Sequence, residues 1–170
     1  FANPSFTKVF GTLKQGGSSY EINFQREKID LPPNSIPKIM EKYNKREVNI
    51  EMRDGVKLFT SIYTPKNAQE DAPLLMSRTP YNSEGGGEQS FNPFIGLYYR
   101  YVEEGYIFVF QDVRGRYMSE GEFENVRPFN PDKKGDEIDE GSDTFDTVEW
   151  LLNNVENKNG NVGVFGVYYT

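Results

Sequence analysis

The sequence contains no histidine and no cysteine, and these two absences exclude several classes of chemistry. A catalytic dyad of Ser or Cys with His, a zinc site with His or Cys ligands, and a disulfide framework cannot form within these 170 residues. Any complete active site must therefore use carboxylates, Lys or Tyr, or must take groups from a partner.

Clustered basic residues and long apolar runs are also lacking. The chain has 19 Lys and Arg against 26 Asp and Glu, a net charge of −7. Binding to a phosphate backbone needs clustered Lys and Arg, so no nucleic-acid partner is predicted. No apolar run approaches the roughly 18 residues of a membrane span, so no membrane partner is predicted either. The chain begins with Phe1 rather than Met, and we expect that a signal or tag was removed, which fits a secreted or periplasmic protein.

The length and the aromatic content predict a folded domain with a real core. A chain of 170 residues buries roughly 68–70% of its unfolded surface, and an aromatic content of 15% argues against disorder. Residues 1–44 are predicted to form an N-terminal arm, polar and rich in Gly and Ser to about Asp30, followed by a short helix opened by Ser35 and Pro37. The domain is predicted to start at Lys45.

The order of elements after Lys45 predicts the α/β class. Val48, Ile50 and Met52 alternate as in a strand, and Asp54-Gly55 supplies a turn into a returning strand. The elements predicted next are a strand at 74–76, a helix from Asn92 to Gly105, a strand at 106–110, a helix capped by Ser142 or Asp143 and ending near Asn159, and a strand at 162–166. This is a mostly parallel sheet with crossover helices and a leading antiparallel hairpin.

Such a sheet places its functional groups at the carboxyl ends of its strands. Tyr81, Asp112 and the residues after Gly166 are therefore predicted to lie along one rim. Asp112, Arg114 and Arg116 follow one strand as a charged cluster. We interpret this cluster as a structural ion-pair network rather than as catalytic groups.

Two further patterns are interpreted without a ligand. The glycines at 160–166 precede the last strand or lie within it, whereas a dinucleotide fingerprint places them after a strand. The second pattern is an acidic run at 136–143 that could offer oxygen ligands to calcium. An EF-hand calcium loop needs an oxygen ligand at its third position, where this run has Ile138. The preferred interpretation of this run is a solvated loop that leads into a helix N-terminus, so no metal and no cofactor is predicted. The run comprises Asp136, Glu137, Asp139, Glu140 and Asp143.

Three motifs, each at the end of a predicted central strand, are specific when taken together. They are Ser-Arg-Thr-Pro-Tyr at 77–81, Gln-Asp-Val-Arg-Gly-Arg at 111–116 and Gly-Val-Phe-Gly-Val-Tyr-Tyr at 163–169. With Arg-Asp-Gly-Val at 53–56, Ser-Glu-Gly-Glu-Phe at 119–123 and the segment 143–151, the chain resembles the CocE/NonD-type α/β-hydrolase family. This group contains cocaine esterase, α-amino-acid ester hydrolase, glutaryl cephalosporin acylase and X-Pro dipeptidyl peptidases. The resemblance covers about 45–169.

The resemblance implies three site residues. In this family the strand ends in Gly-x-Ser-Tyr-x-Gly, a sharp turn that exposes a nucleophilic Ser. Gly166 matches the first glycine, and Tyr168 occupies the Ser position. Tyr81 is implied as an oxyanion donor through its phenol, and Tyr169 as a second donor through its backbone N–H.

The resemblance further implies a serine acyl-hydrolase that acts on a small acyl ester, amide or peptide through an acyl-enzyme. The chain is then the N-terminal part of the α/β-hydrolase domain, without the cap, the remaining strands and the C-terminal β-rich domain, and is expected to be inactive alone. The alternative hypothesis is a noncatalytic scaffold or subunit-assembly module of the same fold, in which residues 1–30 dock on another subunit and form a homo-oligomer. Esters, acylated antibiotics and Pro-containing peptides stay equally open as substrates, because the pockets of this architecture come from the cap and downstream loops.

Overall fold

The computed structural model describes residues 7–8, 27–28, 31–68, 71–83, 85–166 and 168. Its strands are β1 (Thr7–Lys8), β2 (Glu27–Lys28), β3 (Tyr43–Glu51), β4 (Lys57–Pro65), β5 (Ala72–Thr79), β6 (Ile107–Asp112) and β7 (Lys158–Val164). Its helices are α1 (Ile36–Lys42), a 3-10 helix (Pro93–Tyr98), α2 (Tyr99–Glu103) and α3 (Glu140–Asn154).

The main sheet has five strands in the order β3-β4-β6-β5-β7. β4 pairs antiparallel with both β3 and β6, whereas β5 pairs parallel with β6 and with β7. Only β4 therefore runs against the other four strands. This arrangement confirms the predicted α/β class, with a mostly parallel sheet and a leading antiparallel hairpin.

The core has two halves, one on each face of the sheet, because side chains alternate along each strand. Phe108 and Phe110 of β6 face α1, the 3-10 helix and α2, whereas Ile107 and Val109 face α3. On β4, Tyr63 lies on the same face as Phe108, and Ile62 lies on the face covered by α3. The helices thus cover both faces of β6, and all six residues of this strand are buried.

The boundaries of α3 differ from the prediction. The helix begins at Glu140 because Asp139, and not Ser142 or Asp143, is its cap. The Asp139 carboxylate accepts a hydrogen bond from the Ser142 N–H at 2.7 Å, and the Asp139 N–H donates to the Ser142 hydroxyl at 2.8 Å. This is a capping box, in which Ser142 takes the third helical position. The predicted end near Asn159 was also wrong, because the helix ends at Asn154 and β7 starts at Lys158.

The helix predicted from Asn92 to Gly105 is divided into a 3-10 segment and the short α2. The cap is confirmed, because the Asn92 side chain accepts a hydrogen bond from the Phe94 N–H at 2.9 Å. Within the 3-10 segment, a Cβ at Gly96 would lie 2.7 Å from the carbonyl oxygen of Asn34, so this turn packs directly on the chain before α1. The stop at Gly105 is confirmed by its φ of +75°, a conformation that favours glycine.

The N-terminal region is described in part. The predicted arm at 1–30 lies outside the described residues except for β1 and β2, which pair antiparallel. α1 confirms the predicted short helix, and its Ile39 is fully buried in the core with Tyr43. No helix in the described ranges has the length and apolar character needed to cross a membrane.

Candidate active site

An apolar cavity of about 80 Å³ opens at the carboxyl ends of the parallel strands. β5 ends at Thr79 and leads to Tyr81, and β7 ends at Val164 and leads to Gly166. Both segments reach the cavity, so the structure brings Tyr81 and Gly166 together as the strand order predicts. The cavity is lined by Ser77, Thr79, Tyr81, Asn82, Asn92, Phe94, Tyr98, Phe110, Phe165 and Gly166.

Tyr81 lies in a tight turn immediately after β5. Its backbone N–H donates to the Thr79 hydroxyl at 3.0 Å, and the next residue, Asn82, has a φ of +89°. The Tyr81 side chain is 59% exposed, so its phenol is accessible from solvent while it borders the cavity. A hydroxyl in this position can donate a hydrogen bond to a bound carbonyl oxygen. Its role as an oxyanion donor stays a prediction.

Tyr168, at the position implied for the nucleophile, is almost completely exposed and has a φ of +67°. This is the left-handed region, which is strained for a bulky residue. The turn starts from an anchored point, because the Phe165 N–H donates to the Met76 carbonyl at 2.9 Å and so extends the pairing of β7 with β5. Tyr169, implied as the second oxyanion donor, lies outside the described residues, and both roles stay predictions.

Asp112 holds the loop that carries Tyr81, a role that sequence reasoning missed. It is fully buried at the end of β6. Its carboxylate accepts hydrogen bonds from the Ser83 N–H at 2.7 Å and from the Met118 N–H at 3.3 Å. It therefore joins the loop after β5 to the loop after β6. The sequence signal was a carboxylate at the end of a fully buried strand.

A second anchor of the same loop comes from β3. Glu47 accepts hydrogen bonds from the backbone N–H groups of Gly86 and Gly87 at 3.0 and 2.9 Å. It also pairs at 2.7 Å with Lys45, whose buried ammonium donates to the Ser90 carbonyl at 2.6 Å. Burial by itself raises the pKa of Glu47, but the hydrogen bonds from Lys45 and the two glycines outweigh it and lower the pKa below its usual value. The sequence feature that could have revealed this anchor was Lys45, a charged residue on the buried side of an alternating strand.

The charged cluster predicted after β6 separates into different contacts. Arg114 forms the predicted structural network, because its guanidinium pairs with Asp143 at 2.8 Å and with Asp54 at 2.7 Å. Arg116 instead donates to the Pro80 carbonyl at 3.2 Å and lies over the ring of Phe123. Within the described part of the chain, Arg116 shows no ion pair, so the prediction of one shared network was wrong for this residue.

A second buried arginine, Arg78, links the end of β5 to the start of α3. It donates to Gln111 at 2.8 Å and to Glu140 at 2.9 Å, and another of its nitrogens lies 3.6 Å from Asp143. Gln111 in turn donates to Thr147 of α3 at 2.9 Å. Several polar residues of the motifs that suggested the family therefore lie in one network, where they fix α3 against β5 and β6. They are Asp54, Arg78, Gln111, Arg114, Asp143 and Thr147.

The acidic run leads into the N-terminus of α3, as predicted, but only part of it is solvated. Asp139 and Asp143 are 1% and 2% exposed, whereas Asp136 and Glu137 are exposed. Asp143 pairs with Arg114, Asp139 pairs with Lys133 at 2.8 Å, and Glu140 pairs with Arg78. The prediction of solvation was wrong for Asp139 and Asp143, because cationic partners compensate the burial of these carboxylates. In the part of the chain that the structure describes, no group of three carboxylates is arranged to hold a metal ion.

Asp139 predicts an acid-sensitive step in stability. Burial raises its pKa, but the hydrogen bonds from Lys133, Asn130 and Ser142 outweigh burial and bring the pKa well below the usual range. A carboxyl whose folded pKa is lowered stabilises the fold above its unfolded pKa of about 3.9, and this stabilisation is lost as pH falls toward the folded value. Asn also caps helices, so the loss comes from the charge that pairs with Lys133. We expect Asp139→Asn to lower the free energy of unfolding by about 1–2 kcal/mol at pH 6, with a difference that shrinks below about pH 4.

Urea unfolding of both proteins at pH 6 and pH 3 measures this difference. Asp132→Asn, at an exposed position of the same loop, is the matched control and should change stability little at either pH. If Asp139→Asn lowered the free energy of unfolding equally at both pH values, the stabilising role assigned to the ionised Asp139 would be contradicted.

Comparisons with known proteins agree with the fold and with the motifs. The family of X-Pro dipeptidyl-peptidases (S15 family) matches residues 54–170. Cocaine esterase from Rhodococcus sp. (strain MB1 Bresler) is 36% identical over 125 residues, which is 72% of this chain and 19% of that enzyme. The family match at 54–170 includes the segments after β5 and β7 that border the cavity.

Two solved structures are similar to the chain in fold and in sequence. An α-amino acid ester hydrolase labelled with selenomethionine is 46% identical, with a TM-score of 0.63, over 74% of this chain and 21% of that chain. An aminopeptidase from a marine sediment archaeon, Thaumarchaeota archaeon, is 34% identical, with a TM-score of 0.63, over 82% of this chain and 24% of that chain. The chain thus spans about a fifth to a quarter of the length of these relatives.

These matches confirm both the predicted α/β-hydrolase fold and the predicted resemblance. The family match covers more than half of the chain, from the turn before β4 to Thr170. The chain belongs to the X-Pro dipeptidyl-peptidase (S15) family and, with it, to the CocE/NonD-type α/β-hydrolases that its motifs resemble.

Proposed function

We propose that this chain is the N-terminal part of a serine acyl-hydrolase that cleaves small esters, amides or peptides through an acyl-enzyme. The observation that carries the proposal is the meeting of Tyr81 and Gly166 at one apolar cavity on the carboxyl rim of the sheet. The names of the relatives support the same reaction class, since they describe an esterase, an ester hydrolase and peptidases.

The reaction divides its tasks between this chain and residues outside it. In acyl transfer, a serine oxygen attacks the carbonyl carbon, a base takes the serine proton, and the carbonyl oxygen becomes negative. Tyr81 donates a hydrogen bond to that oxygen, and the turn after Gly166 presents the nucleophile. The 170 residues contain no histidine, and position 168 is Tyr. The polypeptide as written is therefore expected to have no hydrolase activity by itself.

The positive φ of Tyr168 supports the place of the turn. A nucleophile at the end of a central strand is exposed by a sharp and strained turn into the following helix. Position 168 follows β7 by four residues and combines strain with nearly complete exposure.

The identity of Tyr168 is also the observation that favours the alternative hypothesis, a noncatalytic scaffold. A phenol with a pKa of about 10 is a poor nucleophile without a base, and Tyr168 lies in a chain that has no histidine. A noncatalytic scaffold or subunit-assembly module would retain the fold and the buried polar network without the reaction. The two hypotheses differ in one measurable property, which is a reactive serine.

A fluorophosphonate probe tests for this serine. The protein expressed from its complete reading frame is incubated with the probe, and intact mass and peptide sequencing locate the label. The proposal expects one labelled serine, and the 170-residue polypeptide, treated in parallel, should carry no label. A complete product that ends at Thr170, or a longer product that takes no label, would overturn the proposal and support the scaffold.

A further inference from the structure

The sulfur atoms of this chain all belong to methionine. The 170 residues contain no cysteine and four methionines, Met40, Met52, Met76 and Met118. Met52 and Met76 are 3% and 0% exposed, and Met40 is half-buried and packs against the core. Met118 differs from these three because it is 55% exposed. Since oxidation of a side-chain sulfur depends on access of the oxidant, we expect Met118 to react before the other methionines.

The backbone of Met118 is held in the loop after β6. Its N–H donates to the buried carboxylate of Asp112 at 3.3 Å. The hydroxyl of the next residue, Ser119, donates to the Asp112 carbonyl at 2.6 Å and accepts a hydrogen bond from the Phe59 N–H at 2.9 Å. These bonds tie the main chain at 118 to β4 and β6, so the Met118 side chain extends from a fixed point.

The Met118 sulfur packs on Gly85, which belongs to the loop after β5. A Cβ at Gly85 would overlap this sulfur, and it would lie 3.2 Å from two carbons of the Phe59 ring. The thioether and the ring therefore both pack on this glycine, which places the sulfur beside the ring. Contacts of a thioether with an aromatic ring are favourable. Through this contact the loop after β6 supports the loop after β5.

Polar bonds anchor the loop after β5 on both sides of Gly85. Before this residue, the Ser83 N–H donates to Asp112 at 2.7 Å. After it, the backbone N–H groups of two further glycines donate to Glu47 at 3.0 and 2.9 Å. The contact with Met118 lies between these two anchors and is apolar. A chemical change at the sulfur therefore acts directly on the part of the loop that the polar bonds enclose.

We propose that Met118 is a site of reversible oxidation, and that its sulfoxide releases the contact between the loops after β6 and β5. The inference goes beyond the proposed function and does not require it, because it concerns a packing contact and no reacting group of a hydrolase. The oxidant belongs to the class of peroxides, and the reductant that reverses the change is a methionine sulfoxide reductase.

The reaction changes both the shape and the polarity of the side chain. A lone pair of the sulfur attacks one oxygen of hydrogen peroxide, so that an S–O bond forms and the O–O bond breaks. The sulfur loses two electrons, and the departing hydroxide takes the proton of the transferred oxygen and becomes water. The sulfoxide is polar and carries one more oxygen. Since the sulfur already fills the space on Gly85, the sulfoxide loses this contact when its oxygen turns to water.

Peptide mapping tests the selectivity of the oxidation. The protein expressed from its complete reading frame is treated with dilute hydrogen peroxide, folded and in urea, and mass spectrometry follows the sulfoxide at each of these four methionines. In the folded protein Met118 should react more than about tenfold faster than Met52 and Met76, which become accessible only when the fold opens. In urea the four rates should converge. A rate at Met118 no higher than those of the buried methionines in the folded protein would overturn the inference.

Hydrogen exchange tests the release of the loop. Oxidation of Met118 should accelerate amide exchange at Gly86 and Gly87 roughly twofold to tenfold, because a sulfur–aromatic contact of ordinary strength is lost. Treatment with methionine sulfoxide reductases A and B should restore the original rates. Met118→Leu is the matched control, since leucine has a similar volume and no sulfur, and peroxide should leave its exchange rates unchanged. Unchanged exchange in the oxidised protein, or an equal acceleration in Met118→Leu, would overturn the inference. Neither result depends on a reactive serine, so the proposed function stands or fails separately.

Discussion

Arg114→Met should reduce the free energy of unfolding by about 3–5 kcal/mol, because it leaves a buried carboxylate without its main partner. The Arg114 guanidinium donates to Asp143 through two nitrogens, at 3.1 and 2.8 Å, and to Asp54 through two nitrogens, at 2.7 and 3.1 Å. Arg114 and Asp143 are 5% and 2% exposed. Such two-nitrogen pairs are among the strongest hydrogen bonds in proteins. Without Arg114, the one cation among the described residues that still pairs with the Asp143 carboxylate is the more distant guanidinium of Arg78, at 3.6 Å.

Urea unfolding at pH 7 measures the loss. Arg127→Met removes a cation that pairs with the exposed Glu124 three residues before it, and as the matched control it should change stability by less than about 1 kcal/mol. The double variant Arg114→Met, Asp143→Leu should recover part of the loss, because it removes the uncompensated charge. Similar losses from Arg114→Met and Arg127→Met would contradict the assigned role of the network.

This network explains why the family could be predicted from the sequence although a complete active site could not. Asp54, Gln111, Arg114 and Asp143 all belong to the motifs that suggested the family, and the structure shows that they join strand ends to α3. Their spacing along the chain is fixed by the packing of those elements. The motifs therefore report the architecture, which the pattern of alternating and helical segments also predicted.

Element boundaries were harder to predict where side chains compete for one role. Ser142 and Asp139 both have the side-chain oxygen that a helix cap needs, and from sequence Ser142 stands next to the apolar face of α3. The buried partners of Asp139, which are Lys133 and the Asn130 N–H, decide in its favour. These partners lie in a loop without periodicity, so no local pattern could reveal them.

Burial of charge was the second feature that the sequence did not predict. A run of carboxylates is usually solvated, and only the fold brings Arg78 and Arg114 from the ends of two other strands to the start of α3. The same holds for Lys45, whose side chain is enclosed by the loop at 85–92 that it helps to hold. These contacts are long-range in sequence, and they are set by the strand order.

Asp112 and Glu47 anchor the backbone of the loop that follows Tyr81, and this bears on the proposed chemistry. An oxyanion donor is effective when it is oriented before the charge develops, since no reorganisation is then needed during the reaction. The Tyr81 turn is flanked by the bond from Ser83 to Asp112 on one side and by the end of β5 on the other. These bonds hold the backbone from which the Tyr81 side chain extends, and the role of its hydroxyl as a donor stays a prediction.

Tyr81→Phe should lower kcat of the protein expressed from its complete reading frame by about 10²–10³-fold, because it removes one hydrogen bond that forms mainly in the transition state. KM should change little, since the ground-state carbonyl gains less from the hydroxyl than the oxyanion does. The free energy of unfolding should stay within about 0.5 kcal/mol of the unmodified protein, as expected for an exposed position.

Tyr117→Phe is the matched control for this variant. Tyr117 is 58% exposed, close to the exposure of Tyr81, and it lies in the loop after β6 beneath the guanidinium of Arg116 without lining the cavity. It should leave kcat unchanged. Equal kcat for Tyr81→Phe and the unmodified protein would remove the phenol from the reaction, whereas a loss that appears only as a raised KM would assign Tyr81 to substrate binding. A fall in kcat confined to Tyr81→Phe, with stability unchanged, is the result that a transition-state hydrogen bond requires.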